Sequence, residues 1–383
     1  MKNAKLSFQL HFAHPDAYVD IYASPVKLNK DPELYNTFKF GWSSNVFTST
    51  DPKEHAALKS MLGTFFSRQC VLKLEYVIQE RIDKLISQLA KNHKSLPADM
   101  NFAFRSVTLD IITLYSFRTS LDATTFPAFR HPAVIGVEET MSNIWALKHL
   151  SLLRHIVKRI PPRLAMRLSP SSKPVLEAQL DIERLAKQAI KDCSSSTDLD
   201  APEERNVFHT LLSSGKLEHT RSTVAYLVSE GLNLRVAGSD TVGNACTIGT
   251  RSLIADDRVR AKLVDELEKA WPDKDNPMPL ERLEKLPYLM TQTAVIKESL
   301  RLSHGVVTPM TRVVPDSGAV IAGHPIPPGT IVSIANSFVN MSPEPFPEPT
   351  RFYPERWLED KDRILERYLV SFGKGPRSCL GIK

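Results

Sequence analysis

The chain has 383 residues, 42% hydrophobic and 24% charged, a globular composition with ample apolar content for a buried core and no low-complexity block. Its 49 basic and 43 acidic residues give a formal charge of +6, too evenly spread for the basic stripe of a nucleic-acid binder. No stretch approaches the roughly 18 uninterrupted apolar residues of a membrane span, and Met1–Pro15 has no apolar core of a secretory signal.

Leu6–Phe12 alternates apolar and polar residues as a half-buried strand does, and a short helix is predicted around Pro15–Tyr22. Ser67–Leu89 reads as helix, with Leu74, Val77, Ile78, Leu85 and Leu89 at three- and four-residue intervals; Phe104–Phe117 is a further apolar helical run. Ser169–Pro174 breaks the chain before a charged amphipathic helix over Val175–Asp192, and Ser194–Pro202 reads as a polar surface loop. The longest helical candidate is Arg221–Ala255, free of proline. Its glycines, Gly231, Gly238, Gly243 and Gly249, each cost about 1 kcal/mol in a helix interior, which points to close approach of something to that backbone. Two more helices, Arg258–Ala270 and Tyr288–Leu302, end at Trp271-Pro272 and His304-Gly305. Val306–Val339 reads as short strands joined by turns such as Pro327-Pro328-Gly329-Thr330. With helices early, strands late, no β-α alternation, no repeat and no linker, the expected fold is mainly α with small β-sheets (α+β), one domain over residues 1–383.

Cys70, Cys193, Cys246 and Cys379 are far apart and form no C-x-x-C pair, which excludes the common zinc patterns and gives no disulfide framework. A reducing compartment follows, with Cys70, Cys193 and Cys246 expected to be small buried hydrophobes. Cys379 stands in a different context, Phe372-Gly373-Lys374-Gly375-Pro376-Arg377-Ser378-Cys379-Leu380-Gly381. A thiolate that ligates iron needs backbone N–H groups aimed at its sulfur, and Gly373 and Gly375 permit the tight loop that this requires. The alternative is a glycine-rich turn around a buried cysteine.

This stretch resembles the haem-binding signature F-x-x-G-x-R-x-C-x-G of the cytochrome P450 family. The resemblance implies the P450 fold and a haem-thiolate monooxygenase in which Cys379 is the axial ligand of haem b and donates electron density that favours O–O cleavage. Phe372, Gly373, Arg377 and Gly381 then shape the cofactor loop, with Arg377 facing a propionate. Ala237-Gly238-Ser239-Asp240-Thr241, in the middle of the long helix, is similar to the family's A-G-x-[DE]-T. There a small pair opens the helix groove for dioxygen, and Thr241 with Asp240 relays protons. Glu298 and Arg301, three apart on one helix face, make an ordinary surface ion pair if taken alone. With Phe352-Tyr353-Pro354-Glu355-Arg356-Trp357 downstream, the resemblance implies a buried structural triad of Glu298, Arg301 and Arg356. His55 and Lys59 share a helix face and are propionate candidates, Lys59 standing where an arginine is usual; Arg312 is a third. The family topology places Phe47, Val236, Ala237, Val306, Val307 and Met310 at the substrate pocket, although core packing accounts equally well for their apolar character. His304 and His324 read as surface or cap residues.

All these motifs occur in family order, and Val46–Ser67 and Leu280–Trp357 look most like fungal P450s of secondary metabolism, of trichodiene oxygenase type. The implied substrate is an apolar small molecule such as a terpenoid or polyketide, with O2 as co-substrate and electrons from NADPH through NADPH-cytochrome P450 reductase; no nucleic acid partner is expected. The mildly basic balance suits an acidic reductase surface. The family setting is the cytosolic face of the endoplasmic reticulum membrane, or the cytoplasm for a chain without the anchor. Set beside microsomal members, the chain reads as truncated at both ends, lacking the anchor and the helix and hairpin after the cysteine loop. The rival expectation is accordingly a truncated, catalytically inactive P450-like fragment.

Overall fold

Helices carry most of the chain, and local capping chemistry sets where many of them start. The computed structural model describes residues 9–39, 43–92, 96–150, 156–157, 159–169, 172–194, 206–214, 221–273, 276–289 and 294–382. In chain order the helices begin with α1 (Ala17–Tyr22), α2 (Pro32–Thr37), α3 (Pro52–Phe65), α4 (Arg68–Leu72), α5 (Glu75–Asn92) and α6 (Met100–Phe117). They continue as α7 (Pro132–His149), α8 (Pro162–Leu168), α9 (Lys173–Ser194), α10 (Val207–Ser213), α11 (Arg221–Ala255) and α12 (Asp257–Ala270). The last are α13 (Leu280–Leu283), α14 (Ala294–Ser303), α15 (Asn336–Asn340), α16 (Glu355–Glu359) and α17 (Leu365–Tyr368). Asp51, Asp99 and Asp256 precede α3, α6 and α12. Their carboxylates accept from first-turn amides, Lys53 at 2.6 Å, Asn101 at 3.0 Å and Arg258 at 3.0 Å, groups the helix itself cannot satisfy. Asn206 caps α10 in a capping box closed by His209.

The chain divides into two compact units, one of Pro32–Gly243 and the other of residues up to Asp31 with Asn244–Ile382. In the first, Leu85, Phe102, Val107, Leu109, Phe129 and Val134 form a core of α5, α6, α7 and the turns between them. Each such side chain contributes roughly 1.5–3 kcal/mol by leaving water. The glycines of α11 mark where neighbours press against it. A Cβ on Gly231 would stand 2.7 Å from Ile182 of α9, and one on Gly238 2.5 Å from Ile112 of α6. One on Gly243 would stand 2.8 Å from Arg105, also of α6. Thr108 of α6 donates to the Ser239 carbonyl at 2.8 Å, locking the same crossing.

In the second unit β6 (Ile331–Ile334) pairs in parallel with β1 (Gln9–Phe12), in register from Gln9 opposite Ile331 to Phe12 opposite Ile334. On its other side β6 pairs antiparallel with β3 (Arg312–Val313), which pairs with β2 (Asn29–Lys30); β4 (Ala319–Ile321) and β5 (His324–Ile326) form a separate hairpin. Ile21, Val314, Ile321, Val332, Ile334 and Val370 fill the space between α1 and these strands. A second cluster, Val259, Leu263, Val295, Phe346 and Trp357, joins α12, α14 and α16. Gly249, in the last part of α11, belongs to this unit, and its missing Cβ would lie 2.6 Å from Ser299 Oγ of α14.

A mainly helical chain with two small sheets is the expected class. Several boundaries differ from the sequence expectations. Ser67–Leu89 is two helices, because the turn at Lys73-Leu74 separates α4 from α5. Val306–Val339 holds the start of a helix, α15, besides its strands. The strand Gln9–Phe12 is an exposed edge without alternating burial, Leu10 being 40% exposed; residues 6–8 lie outside the described residues. So do most of the predicted Ser194–Pro202 loop and residues 290–293 of the predicted Tyr288–Leu302 helix; of its described residues, Tyr288 and Leu289 form a turn and the helix, α14, starts at Ala294. Cys193 and Cys246 are exposed and Cys70 half-buried, which corrects their reading as buried hydrophobes.

Candidate functional site

The loop that carries Cys379 is built by backbone hydrogen bonds and by two close approaches. Gly373 N donates to the Val370 carbonyl at 2.8 Å, Cys379 N to the Phe372 carbonyl at 2.8 Å and Ser378 N to the Gly375 carbonyl at 3.0 Å. Gly375 has φ +72°, and a Cβ there would lie 2.3 Å from the Tyr22 carbonyl oxygen at the end of α1. Backbone cannot yield as a side chain can, so this position admits glycine alone. Far upstream in the chain, Gly305 has φ +62° and a Cβ on it would stand 2.3 Å from the Ser371 carbonyl. Ser371 Oγ donates to the Leu300 carbonyl at 2.6 Å, so the loop is fastened to α14. On this frame the Cys379 side chain is exposed, and Gly381 follows in a 3-10 turn over Leu380–Ile382, where a Cβ would come within van der Waals contact of the sulfur at 4.0 Å. Arg377 is half-buried in the 3-10 turn Gly375–Arg377, and Phe372 is half-buried.

Sequence reasoning missed the support of this loop. Lys374 Nζ donates to the Glu366 carbonyl at 2.7 Å, and the Glu366 carboxylate accepts from Lys297 of α14 at 2.6 Å and from Arg363 at 2.8 Å. Burial alone would raise the Glu366 carboxyl pKa, but these cations outweigh it and hold it below the usual range. Lys374 is pushed down by its own burial, with Glu366 opposing. Lys374 lies inside the cysteine motif and Lys297 precedes Glu298, yet nothing in the sequence pairs them with Glu366, which the fold brings near.

The same helix, α14, brings Glu298, Arg301 and Arg356 together. Glu298 Oε2 accepts from Arg301 Nε at 2.9 Å and Trp357 Nε1 at 2.9 Å. Its Oε1 accepts from Arg301 Nη2 at 2.7 Å, Tyr353 N at 3.0 Å and Arg356 Nε at 3.2 Å. Arg301 also donates to the carbonyls of Asn340 and Pro349, both at 2.7 Å, and Arg356 to that of Pro347 at 2.9 Å. Glu298 and Arg301 have side-chain exposures of 0% and Arg356 of 6%, so this is no surface ion pair. Three donors (Tyr353 N, Arg356 Nε and Trp357 Nε1) and two carbonyls (Asn340 and Pro349) from the 340–357 segment converge on one helical turn, which fixes that irregular segment in place. His304 follows α14 in the left-handed region, φ +61°, as a helix-ending residue.

On α11 the middle of the helix is unusual in leaving Ala237, Thr241 and Val242 exposed. Thr241 Oγ1 donates to the Ala237 carbonyl at 2.8 Å, one turn back. Asp240 forms an ion pair with Arg105 of α6, a partner sequence reasoning missed, and Arg105 also lies 3.8 Å from Glu138. Burial raises the Asp240 pKa, and Arg105 opposes that rise. Gly238 faces Ile112, so its missing side chain lets α6 and α11 cross closely.

His55 is buried on α3 and Lys59, one turn on, is half-buried. Arg312 is buried in β3, its Nη1 donating to the carbonyls of Met310 at 3.1 Å and Thr311 at 3.0 Å, and its guanidinium lies over the Tyr22 ring at 4.9 Å. Phe47 is held between Tyr35 and Phe38, with ring centroids 5.6 Å away in each case. Val236 lines a narrow cavity of about 20 Å³ with Val137, Met141, Val175 and Ala178, which makes it a packing residue against α7 and α9. Val306 and Val307 are 39% and 62% exposed and Met310 is half-buried.

The family model described as Cytochrome P450 matches residues 15–383. The chain is 33% identical to the cytochrome P450 monooxygenase tpcC of Cochliobolus heterostrophus, over 98% of this chain and 71% of that protein. It is 31% identical to the cytochrome P450 monooxygenase flvC of Aspergillus flavus (98% and 68%). To the cytochrome P450 monooxygenase claJ of Penicillium crustosum it is 33% identical (98% and 84%).

Proposed function

The chain belongs to the cytochrome P450 family and is a monooxygenase, and from that membership we propose that it inserts one oxygen atom of O2 into an apolar small molecule, a secondary metabolite such as a terpenoid or polyketide. The observation that carries this reading is Cys379, an exposed thiol on a loop that glycine alone can close. That donor, one soft sulfur, fits a haem that would be held by a single thiolate. Among the described residues no group of three His, Cys, Asp or Glu side chains offers a competing metal site. Haem bound there supplies the reductive activation of dioxygen.

The protein's own residues divide the remaining work. Phe372, Gly373 and Gly381 shape the loop, and Arg377, His55, Lys59 and Arg312 are the cations and imidazole that meet the propionates. Glu298, Arg301 and Arg356 are a structural cluster that holds the 340–357 segment. Thr241 and Asp240 deliver protons: the Thr241 hydroxyl is held by Ala237, and burial keeps Asp240 more readily protonated than an exposed carboxyl. Phe47, Ala237, Val306, Val307 and Met310 face the substrate.

Electrons come from NADPH through its P450 reductase, and the positive net charge favours such a partner. No helix of the described residues is long and apolar enough to cross a membrane. Leu150, Ile156, Val157, Leu164 and Leu168 are 45–68% exposed near Arg159 and Arg167, which supports contact with a membrane surface such as the cytosolic face of the endoplasmic reticulum. The test is the reduced, CO-bound difference spectrum of the expressed chain. A red-shifted Soret band is expected and should vanish in Cys379→Ser; full expression without that band would sink the monooxygenase reading. With the band present, Thr241→Ala should lower product formed per NADPH consumed.

A further inference from the structure

Glu230 is a buried carboxyl of the Pro32–Gly243 unit that the proposed chemistry does not use. It sits on α11 with 0% exposure. Its Oε2 accepts from Val46 N at 2.9 Å and its Oε1 from Asn233 Nδ2 at 3.2 Å, with no lysine or arginine among its bonded partners in the described residues. A buried carboxyl without a cation is expensive, and an amide would hold one backbone N–H at less cost.

What it holds is a segment far away in sequence. Next to it, Ser229 Oγ donates to the Ser43 carbonyl at 3.0 Å, and Asn45 Nδ2 donates to the Ser229 carbonyl at 3.2 Å and to its Oγ at 3.1 Å. Asn45 Oδ1 in turn accepts from Phe47 N at 3.0 Å and Thr48 N at 2.8 Å, a closed Asx turn that fixes the Phe47 backbone. Phe47 then packs between Tyr35 and Phe38. The segment runs on through Ser49, which donates to Glu54, into Asp51, the cap of α3 that carries His55 and Lys59.

Helical geometry relates this anchor to the reaction face. At 100° per residue, positions 7 and 11 along from Glu230 return to within roughly 20° of its direction, and these are Ala237 and Thr241. They lie about 10 and 16 Å farther along the axis. We propose that Glu230 is a positioning residue, which pins Ser43–Thr50 along the face of α11 that carries Ala237 and Thr241 and so sets which apolar molecules that wall admits. The selectivity half rests on the monooxygenase reading; the clamp itself does not.

The experiment compares the haem-loaded full chain with Glu230→Leu, Glu230→Gln and Asn45→Ala. Imidazole and 4-phenylimidazole serve as probes, read by the Soret shift on titration, and hydrogen exchange is followed by mass spectrometry in peptides covering residues 43–50. Glu230→Leu should weaken 4-phenylimidazole by about tenfold, as loss of a buried hydrogen bond implies, while imidazole changes by less than about threefold. Exchange in 43–50 should accelerate. Glu230→Gln, which keeps an oxygen for Val46 N, should restore both readouts. Should Glu230→Leu not fold, Asn45→Ala must give the same pattern at smaller amplitude. Equal weakening of both probes, or unchanged exchange in 43–50, overturns the proposal. A chain that takes up no haem removes the monooxygenase reading and the selectivity half with it, and the exchange measurement then decides the clamp.

Discussion

Replacing Glu298 by glutamine tests the interior of the C-terminal unit most severely. The change is nearly isosteric, so lost volume plays no part. Oε1 accepts three hydrogen bonds and Oε2 two, from Arg301, Arg356, Trp357 and the Tyr353 amide. Whichever way the glutamine amide lies, its NH2 group meets at least two N–H donors in place of an acceptor. Two buried guanidinium groups also lose their only carboxylate among these partners. Breaking a buried ion pair from one side costs about 3–5 kcal/mol, against a total stability of roughly 5–15 kcal/mol. With a urea dependence of about 3 kcal/mol per molar, the midpoint should fall by about 1 M or more. Tryptophan fluorescence reads the transition directly, since Trp357 is one of the donors. The control is Glu348→Gln, whose pair with Arg351 at 2.8 Å has side chains 67% and 51% exposed and should contribute less than about 1 kcal/mol. Equal midpoints for the two variants would refute the reasoning, because burial would then not distinguish them.

Burial pushes the Glu230 pKa up from 4.5 to about 7, against the opposing bonds from Val46 and Asn233. The folded chain therefore keeps a proton that the unfolded chain has released, and this contribution to stability, about 3 kcal/mol, is complete below pH 4.5 and lost as pH rises through about 7. Urea midpoints at pH 5 and pH 8 should show a drop that Glu230→Gln lacks; parallel curves would exclude it. Arg105→Gln removes the cation that opposes the burial-driven rise of the Asp240 pKa, so Asp240 stays protonated to higher pH. The pH profile of product formed per NADPH consumed should move upward, and an unmoved profile would remove Asp240 from the proton path. Gly375→Ala should abolish haem retention, read as the ratio of haem to protein absorbance, because its Cβ meets the Tyr22 carbonyl. Gly323→Ala, at φ +77° with nothing within 4 Å, pays only the left-handed backbone cost of about 1–2 kcal/mol and should retain haem.

The local order of residues settled the family and the elements that carry its motifs. A proline-free run with helical spacing is a helix wherever it folds, and the long helix falls at Arg221–Ala255 as the sequence reading placed it. The cysteine loop is equally legible, because its glycines answer to torsion angles within a few residues of Cys379. Properties that depend on distant neighbours were decided by tertiary structure. An E-x-x-R pattern is the same on a surface as in a core, and only the fold encloses Glu298 and Arg301 with Arg356 and Trp357. The close approach of Gly238 to Ile112 likewise appears only in the fold. Arg105 is 135 residues from Asp240 and carries no motif, yet it faces the carboxyl and opposes the rise in its pKa. The cost and the bonding of a charge are set by what surrounds it in space, which is why Glu230 and its hold on Val46, 184 residues away, left no trace in the sequence.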